Sequence, residues 1–252
     1  DVCSSDLQEV FTENFDDGGA SERWTFSEAG GVNAVDFAFD YVTEGLEEAP
    51  NGGGLGMKLT VNTEEDGEAS AILTFPTGQS FTGEYTLVFD LYLSYTPGGS
   101  GTTEHSLFGV GHTDTDATAP ASGSGGADGE AGDGPNFTGL DFGTSPDNGA
   151  NRDIRVYDEG VEMLGIDAGL ADEFSHSTEA EASSVYSAAY DGDSPGNQWL
   201  EITVDVGETT TTFKVNDVVW AEYPGVPGDG NIMLGYMDFW GSVADAVSYA
   251  VY

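Results

Sequence analysis

The stretch Trp199-Leu200-Glu201-Ile202-Thr203-Val204-Asp205-Val206 alternates without a break. Leu200, Ile202, Val204 and Val206 share one side, while Trp199, Glu201, Thr203 and Asp205 share the other. Successive side chains of a strand point to opposite faces, so this segment predicts a strand with one face in a core and one in water. Residues 210–215 and 218–223 repeat the pattern about Asn216-Asp217, a turn pair that predicts a hairpin.

Strand-like segments extend outward in both directions. Toward the start they are 9–15, ended by Asp16-Asp17-Gly18-Gly19; 56–62, before Glu65-Asp66-Gly67; and 69–75, stopped by Pro76 and Gly78. The longest and most apolar, 85–95, ends at Pro97-Gly98-Gly99, and a short one covers 107–111. Residues 153–157, 232–237 and 247–252 complete the set. Segment 161–174 has weak helix-like spacing interrupted by Gly165 and Gly169, and reads as a loop or a single turn. Many strands joined by Gly-rich turns predict an all-β fold, a two-sheet antiparallel β-sandwich of jelly-roll type. Evenly spaced turns and the absence of a linker make 1–252 one domain, carrying a long Gly-rich acidic loop at 113–135 that is too polar to enter a core.

Five basic residues stand against 46 acidic ones, a formal charge of -41. Nucleic acid and anionic lipid need cationic surface, which argues against both as partners. Such a coat suits high salt, and its loop carboxylates also suit divalent ions. No apolar run is long enough to span a membrane. The chain opens at Asp1, which predicts a lost signal peptide and an extracellular or cell-surface location. The lone Cys3 excludes an intrachain disulfide and leaves a free thiol or an intermolecular bridge. Asn136-Phe137-Thr138 is a formal glycosylation sequon.

The segment 199–206, with Thr212-Phe213-Lys214-Val215-Asn216-Asp217, resembles the laminin-G-like signature of secreted bacterial surface domains, with Asp217 where glycine is usual. Gly230 to Asp238, Glu13 to Gly18, Phe81 to Asp90 and Gly99 to His105 are similar to other segments of that family. The resemblance implies a concanavalin A-like sandwich, an extracellular setting and no assigned activity. Domains of this type run on past a final Tyr, whereas this chain stops at Tyr252. Either the sequence is trimmed, or a neighbouring subunit completes the edge by strand addition at the termini, giving a homo-polymer.

Catalytic patterns are weak. A retaining glycosidase needs two carboxylates about 5 Å apart, and the nearest set is Glu201, Asp205 and Glu208, of which Glu208 falls beyond the strand. No Gly-x-Ser-x-Gly elbow occurs. His105 and His112 are seven apart, which on a regular strand sends them to opposite faces; with His176 they read as surface or half-buried side chains. Calcium takes oxygen ligands from Asp/Asn/Gly loops, and suitable spacings occur at Asp16-Asp17, Asp114 with Asp116, Asp147-Asn148 with Asn151 and Asp153, and Asp191 with Asp193. Each of these is equally a turn-former. Among Trp24, Trp199, Trp220 and Trp240, the last sits in a polar turn and is the candidate for sugar stacking, whereas Trp199 reads as core. The sequence therefore favours a non-enzymatic structural or adhesive surface protein, a calcium-stabilised filament or matrix subunit. A carbohydrate-binding module with a polysaccharide partner is the alternative, and a glycosidase stands third.

Overall fold

A computed structural model of the chain describes residues 9–64, 69–96, 104–113, 138–146, 155–165, 175–176, 195–238 and 248–252, with backbone alone at 162–165 and 175–176. In chain order the described elements are one helical turn, α1 (Ala20–Arg23), then β1 (Trp24–Ala29), β2 (Ala34–Asp40), β3 (Leu55–Thr60), β4 (Ser70–Pro76) and β5 (Tyr85–Ser94). They continue with β6 (Glu104–His112), β7 (Leu140–Thr144), β8 (Arg155–Asp158), β9 (Val161–Gly165) and β10 (Ser175–His176). The last are β11 (Trp199–Val206), β12 (Thr211–Val215), β13 (Val218–Tyr223), β14 (Asn231–Asp238) and β15 (Tyr249–Val251).

Two antiparallel sheets form the sandwich, one of seven strands in the order β1-β4-β14-β6-β7-β8-β9 and one of eight in the order β10-β13-β12-β11-β5-β15-β3-β2. Strands from both ends of the sequence interleave in each, and the predicted jelly-roll sandwich is the fold observed. Between the sheets lie Leu91 and Leu93 of β5, Phe108 and Val110 of β6, Leu200 to Val206 at alternate positions of β11, Phe213 and Trp220. The alternation of β11 is realised residue by residue, with Leu200, Ile202, Val204 and Val206 buried and their neighbours half-exposed.

The seven-stranded sheet behaves differently. Every residue of β4, β6, β7 and β14 is buried, so these four strands are closed to solvent on both faces. The sheet's outer face carries a second apolar cluster, Ala71, Leu73, Phe75, Leu107, Tyr157, Met233 and Met237. Strands buried on both faces carry no clean alternation.

Several expectations are corrected. Residues 9–15 run without strand pairing, because Glu13 turns inward to bind Arg23 and Trp24 while Phe15 enters the core. Residues 161–165 are β9, not a loop or helical turn: Glu159 and Gly160 both adopt positive φ and fold β9 back on β8. β1, β2 and β7 have no counterpart in the sequence reading. The last strand is not missing from its sheet. β15 lies between β5 and β3, paired on both sides, and the Tyr252 and Met57 backbones exchange hydrogen bonds of 3.0 and 2.9 Å. The C-terminal strand is therefore not an open edge for strand addition. The described sheet edges are β1, β9, β10 and β2.

Candidate functional site

Three connections meet at one end of the sandwich: the loop from β4 to β5, the turn from β11 to β12 and the loop from β13 to β14. They enclose a cleft of about 540 Å³ lined by Phe81, Glu84, Tyr85, Glu208, Val226 and Asp229, with Gly83, Gly207 and Gly228 in its walls. Two of the connections are clamped together, since Phe81 donates its N–H to Gly230 at 2.6 Å and accepts from it at 3.1 Å. Gly230 has no alternative there, because a Cβ would come within 2.5 Å of the Gly111 backbone. The third closes on itself through a 2.9 Å bond from Gly207 N–H to the Thr210 carbonyl.

Chemically the cleft joins aromatic surface to carboxylate. The Phe81 and Tyr85 rings stand 5.7 Å apart, tilted by 39°. Burial, then the charge of Asp229, push the Tyr85 phenol up to about 12, so it stays neutral at physiological pH. Glu84, Glu208 and Asp229 are all exposed, and among the described residues no Lys, Arg or His lines the cleft. The arrangement offers hydrogen-bond acceptors and ring edges to a ligand and repels anions.

A second feature lies beside the cleft, on the outer face of the seven-stranded sheet. His112 Nε2 sits 2.8 Å from Asp141 Oδ1, both side chains fully buried. Burial raises the Asp141 carboxyl above its usual range, and His112 only partly offsets this. Gly111, at φ +80°, makes the bulge that turns His112 to the same outer face as Leu107. The expectation that His105 and His112 face opposite ways therefore fails, because the strand between them is not regular. They still do not converge: register sets His105 beside Met237 and His112 beside Asn231, at the two ends of the β6–β14 pair.

The other sequence candidates are placed as follows. Asp16 Oδ1 accepts from Gly54 and Leu55 N–H at 3.2 and 3.3 Å, and Asp17 pairs with Arg23 at 2.9 Å. Asp205 is held by Lys214 at 2.5 Å and Thr86 at 2.7 Å, whereas Glu208 enters the cleft. Asp114, Asp116, Asp147, Asp153, Asp191, Asp193, Trp240, Asn136 and Cys3 lie outside the described residues. Trp24 and Trp220 are core. Trp199 is not: it stands on the outer face of the eight-stranded sheet against Tyr41 and Tyr92, donating from Nε1 to the Glu47 carbonyl at 2.8 Å. Its place among Glu201, Thr203 and Asp205 in the alternating pattern already carried that signal. Among the described residues no three His, Cys, Asp or Glu side chains are grouped to hold a metal.

The sequence matches no family model and none of the curated proteins compared. Solved structures share the fold. A Bacillus subtilis protein of unknown function with a galectin-like fold superposes with a TM-score of 0.50 at 9% identity, covering 96% of this chain and 91% of its own. The carbohydrate recognition domain of Emp46p, in metal-free form, gives 0.48 at 11% identity, with 91% and 85% covered. Carbohydrate binding module CBM66 from Bacillus subtilis gives 0.41 at 10% identity, with 90% of each covered. At such identities the shared property is the galectin-like, concanavalin A-like sandwich itself.

Proposed function

We propose that this chain is an extracellular, non-catalytic carbohydrate-binding domain of laminin-G-like type, one domain over 1–252, which takes an uncharged glycan in the end cleft. The observation that carries the reading is the pairing of Phe81 and Tyr85 with three exposed carboxylates and, among the described residues, no cation. Sugar hydroxyls donate to carboxylates while the C–H faces of the ring pack on aromatics, and a few such polar groups in an apolar-floored cleft are enough to orient a ligand. Binding is favoured over cleavage because the three exposed acids can accept hydrogen bonds from hydroxyls and so orient a glycan without any proton transfer. An adhesive role at the cell surface is compatible with glycan capture, whereas the filament reading has lost its open C-terminal edge.

The test is retardation on native gels containing neutral glucans, mannans or xylans. Wild type should be slowed by at least one, and Phe81→Ala and Glu208→Gln should each weaken the slowing about tenfold or more. Glu208→Gln should melt like wild type, whereas Phe81→Ala, whose ring also packs on the core, should melt lower yet stay folded at the assay temperature. No retardation by any neutral polysaccharide, or retardation indifferent to both substitutions, would sink the assignment.

A further inference from the structure

The glycines around the end cleft are mostly required by the fold itself. Gly83 stands at φ +72°, a conformation that side chains adopt at a cost. A Cβ on Gly207 would lie 3.2 Å from the Thr210 carbonyl oxygen, inside the turn that those two residues close. One on Gly230 would lie 2.5 Å from the Gly111 carbonyl carbon, and one on Gly111 would lie 2.6 Å from Pro227 Cβ. Gly228 answers to neither demand. Its φ is outside the left-handed region, and among the described residues no atom comes within 4 Å of a Cβ placed on it.

The backbone around that gap is fixed. The Pro227 ring and the Gly228 carbonyl both bear on Gly111 of β6, since theirs are the atoms a Cβ on Gly111 would strike. Two residues on, Gly230 exchanges backbone hydrogen bonds with Phe81. Asn231 then anchors the start of β14 by donating from Nδ2 to the Pro76 carbonyl at 2.8 Å. Near Gly228 in the cleft wall are Val226, left 39% exposed, and the exposed carboxylate of Asp229. Bare backbone held between an apolar side chain and a hydrogen-bond acceptor admits a ligand more closely than any side chain would.

We propose that Gly228 is where the glycan comes closest to the chain, and that it sets which sugar rings fit. A pyranose ring lies with a C–H face against the Gly228 backbone, beside Val226, and donates a hydroxyl hydrogen bond to Asp229. The inference rests on the glycan reading of the cleft and adds to it the residue that controls fit. Backbone has no rotamer to turn aside, and the contacts with Gly111 and Phe81 leave the segment little room to retreat. A Cβ at this position therefore takes its volume from the ligand and not from the protein, so selection is by exclusion.

The test pairs thermal melting with native-gel retardation in the neutral polysaccharide that slows wild type most. The variants are Gly228→Ala, Gly228→Val, Phe81→Ala and Gly54→Ala. Gly54 is the control, a glycine outside the cleft that also lacks positive φ and has only Val42 Cγ2, at 3.9 Å, near its Cβ position. Replacing an unstrained glycine by alanine restricts the unfolded chain, so Gly228→Ala and Gly54→Ala should both melt at or above wild type. Retardation should be unchanged in Gly54→Ala and several-fold weaker in Gly228→Ala. In Gly228→Val it should be about tenfold weaker or more, because the cost of overfilling a fitted site rises with volume. Full retardation of Gly228→Val while Phe81→Ala loses it would overturn the inference and leave the cleft as the glycan site. An equal loss in Gly54→Ala, or losses that follow melting temperature and not side-chain size, would overturn it too. Wild type slowed by no neutral polysaccharide would remove the glycan reading, and this inference with it.

Discussion

Glu13 and Asp141 are both carboxylates drawn out of water, and their surroundings push them in opposite directions. For Glu13 burial acts upward, but the Arg23 hydrogen bonds, the Phe15 N–H, the Arg23 charge and Trp24 outweigh it, and its pKa falls. A depressed folded value stabilises the fold above the unfolded value of 4.5, and that contribution is lost as pH falls through the folded value. Glu13→Gln should therefore lower stability by about 1–2 kcal/mol at neutral pH, the modest figure reflecting the partly exposed Arg23 partner. The deficit in urea melts should shrink toward zero in acid. Asp141 behaves conversely, because burial exceeds the help from His112 and its pKa rises. Its favourable contribution is present below the unfolded value of 3.8 and is lost as pH rises through the folded value. Asp141→Asn keeps an acceptor for His112 and removes the charge, so it should be more stable than wild type at neutral pH and flatten the acid side of the stability profile. A less stable variant at neutral pH would mean that the His112 attraction dominates.

The β12–β13 hairpin shows how an element is specified, and where it is imperfect. Asn216 and Asp217 have φ of 47° and 67°, the backbone of a two-residue turn that twists with its strands. Asn216 fixes the turn to β11, accepting from Glu201 N–H at 2.9 Å and donating to its carbonyl at 2.8 Å. Asp217 makes no comparable bond and bears the cost of a left-handed residue with a Cβ. Asp217→Gly should gain up to about 1 kcal/mol, and Asn216→Ala should lose about as much or more. The pair of substitutions, read by denaturant midpoint, would reverse sign if the turn were not of this type.

Legibility followed the same logic from strand to strand. β11 and its hairpin were readable because one face meets water, so hydrophobicity alternates. β6 and β14 were readable only in part, since both faces are closed and Gly109, Gly111 and Gly235 interrupt the apolar run. β1 is an edge strand whose burial is broken, leaving little pattern to detect. β2 does alternate, with Val35, Phe37 and Phe39 on the more buried side and Ala34, Asp36, Ala38 and Asp40 on the exposed one, so the sequence carried its signal. The cleft was hardest. Its residues come from three turns far apart in sequence, and each looks locally like a turn-former. Glu208 was visible as an acid just past a strand, but nothing in the sequence announced that Phe81 and Asp229 would meet it.

For the whole molecule, a charge of -41 on 252 residues makes ionic strength a structural variable. Repulsion between exposed carboxylates weakens as the Debye length falls from about 30 Å at 0.01 M to about 3 Å at 1 M salt. Melting temperature should therefore climb with potassium chloride and level off near molar salt, whatever the state of any specific ion site. The same field acts on ligands. A neutral glycan carries no charge for salt to screen, so its affinity should barely change between dilute and molar salt. A carboxymethylated derivative of that glycan must approach both the acidic surface and a cleft lined by Glu84, Glu208 and Asp229, with no cation among the described residues to receive it. It should bind more weakly than the parent at low salt, and the gap should narrow as salt rises. Isothermal titration with the two polysaccharides at two salt concentrations measures this directly. Tighter binding of the carboxymethylated form at low salt would require a cation at the binding surface, contrary to the cleft described here.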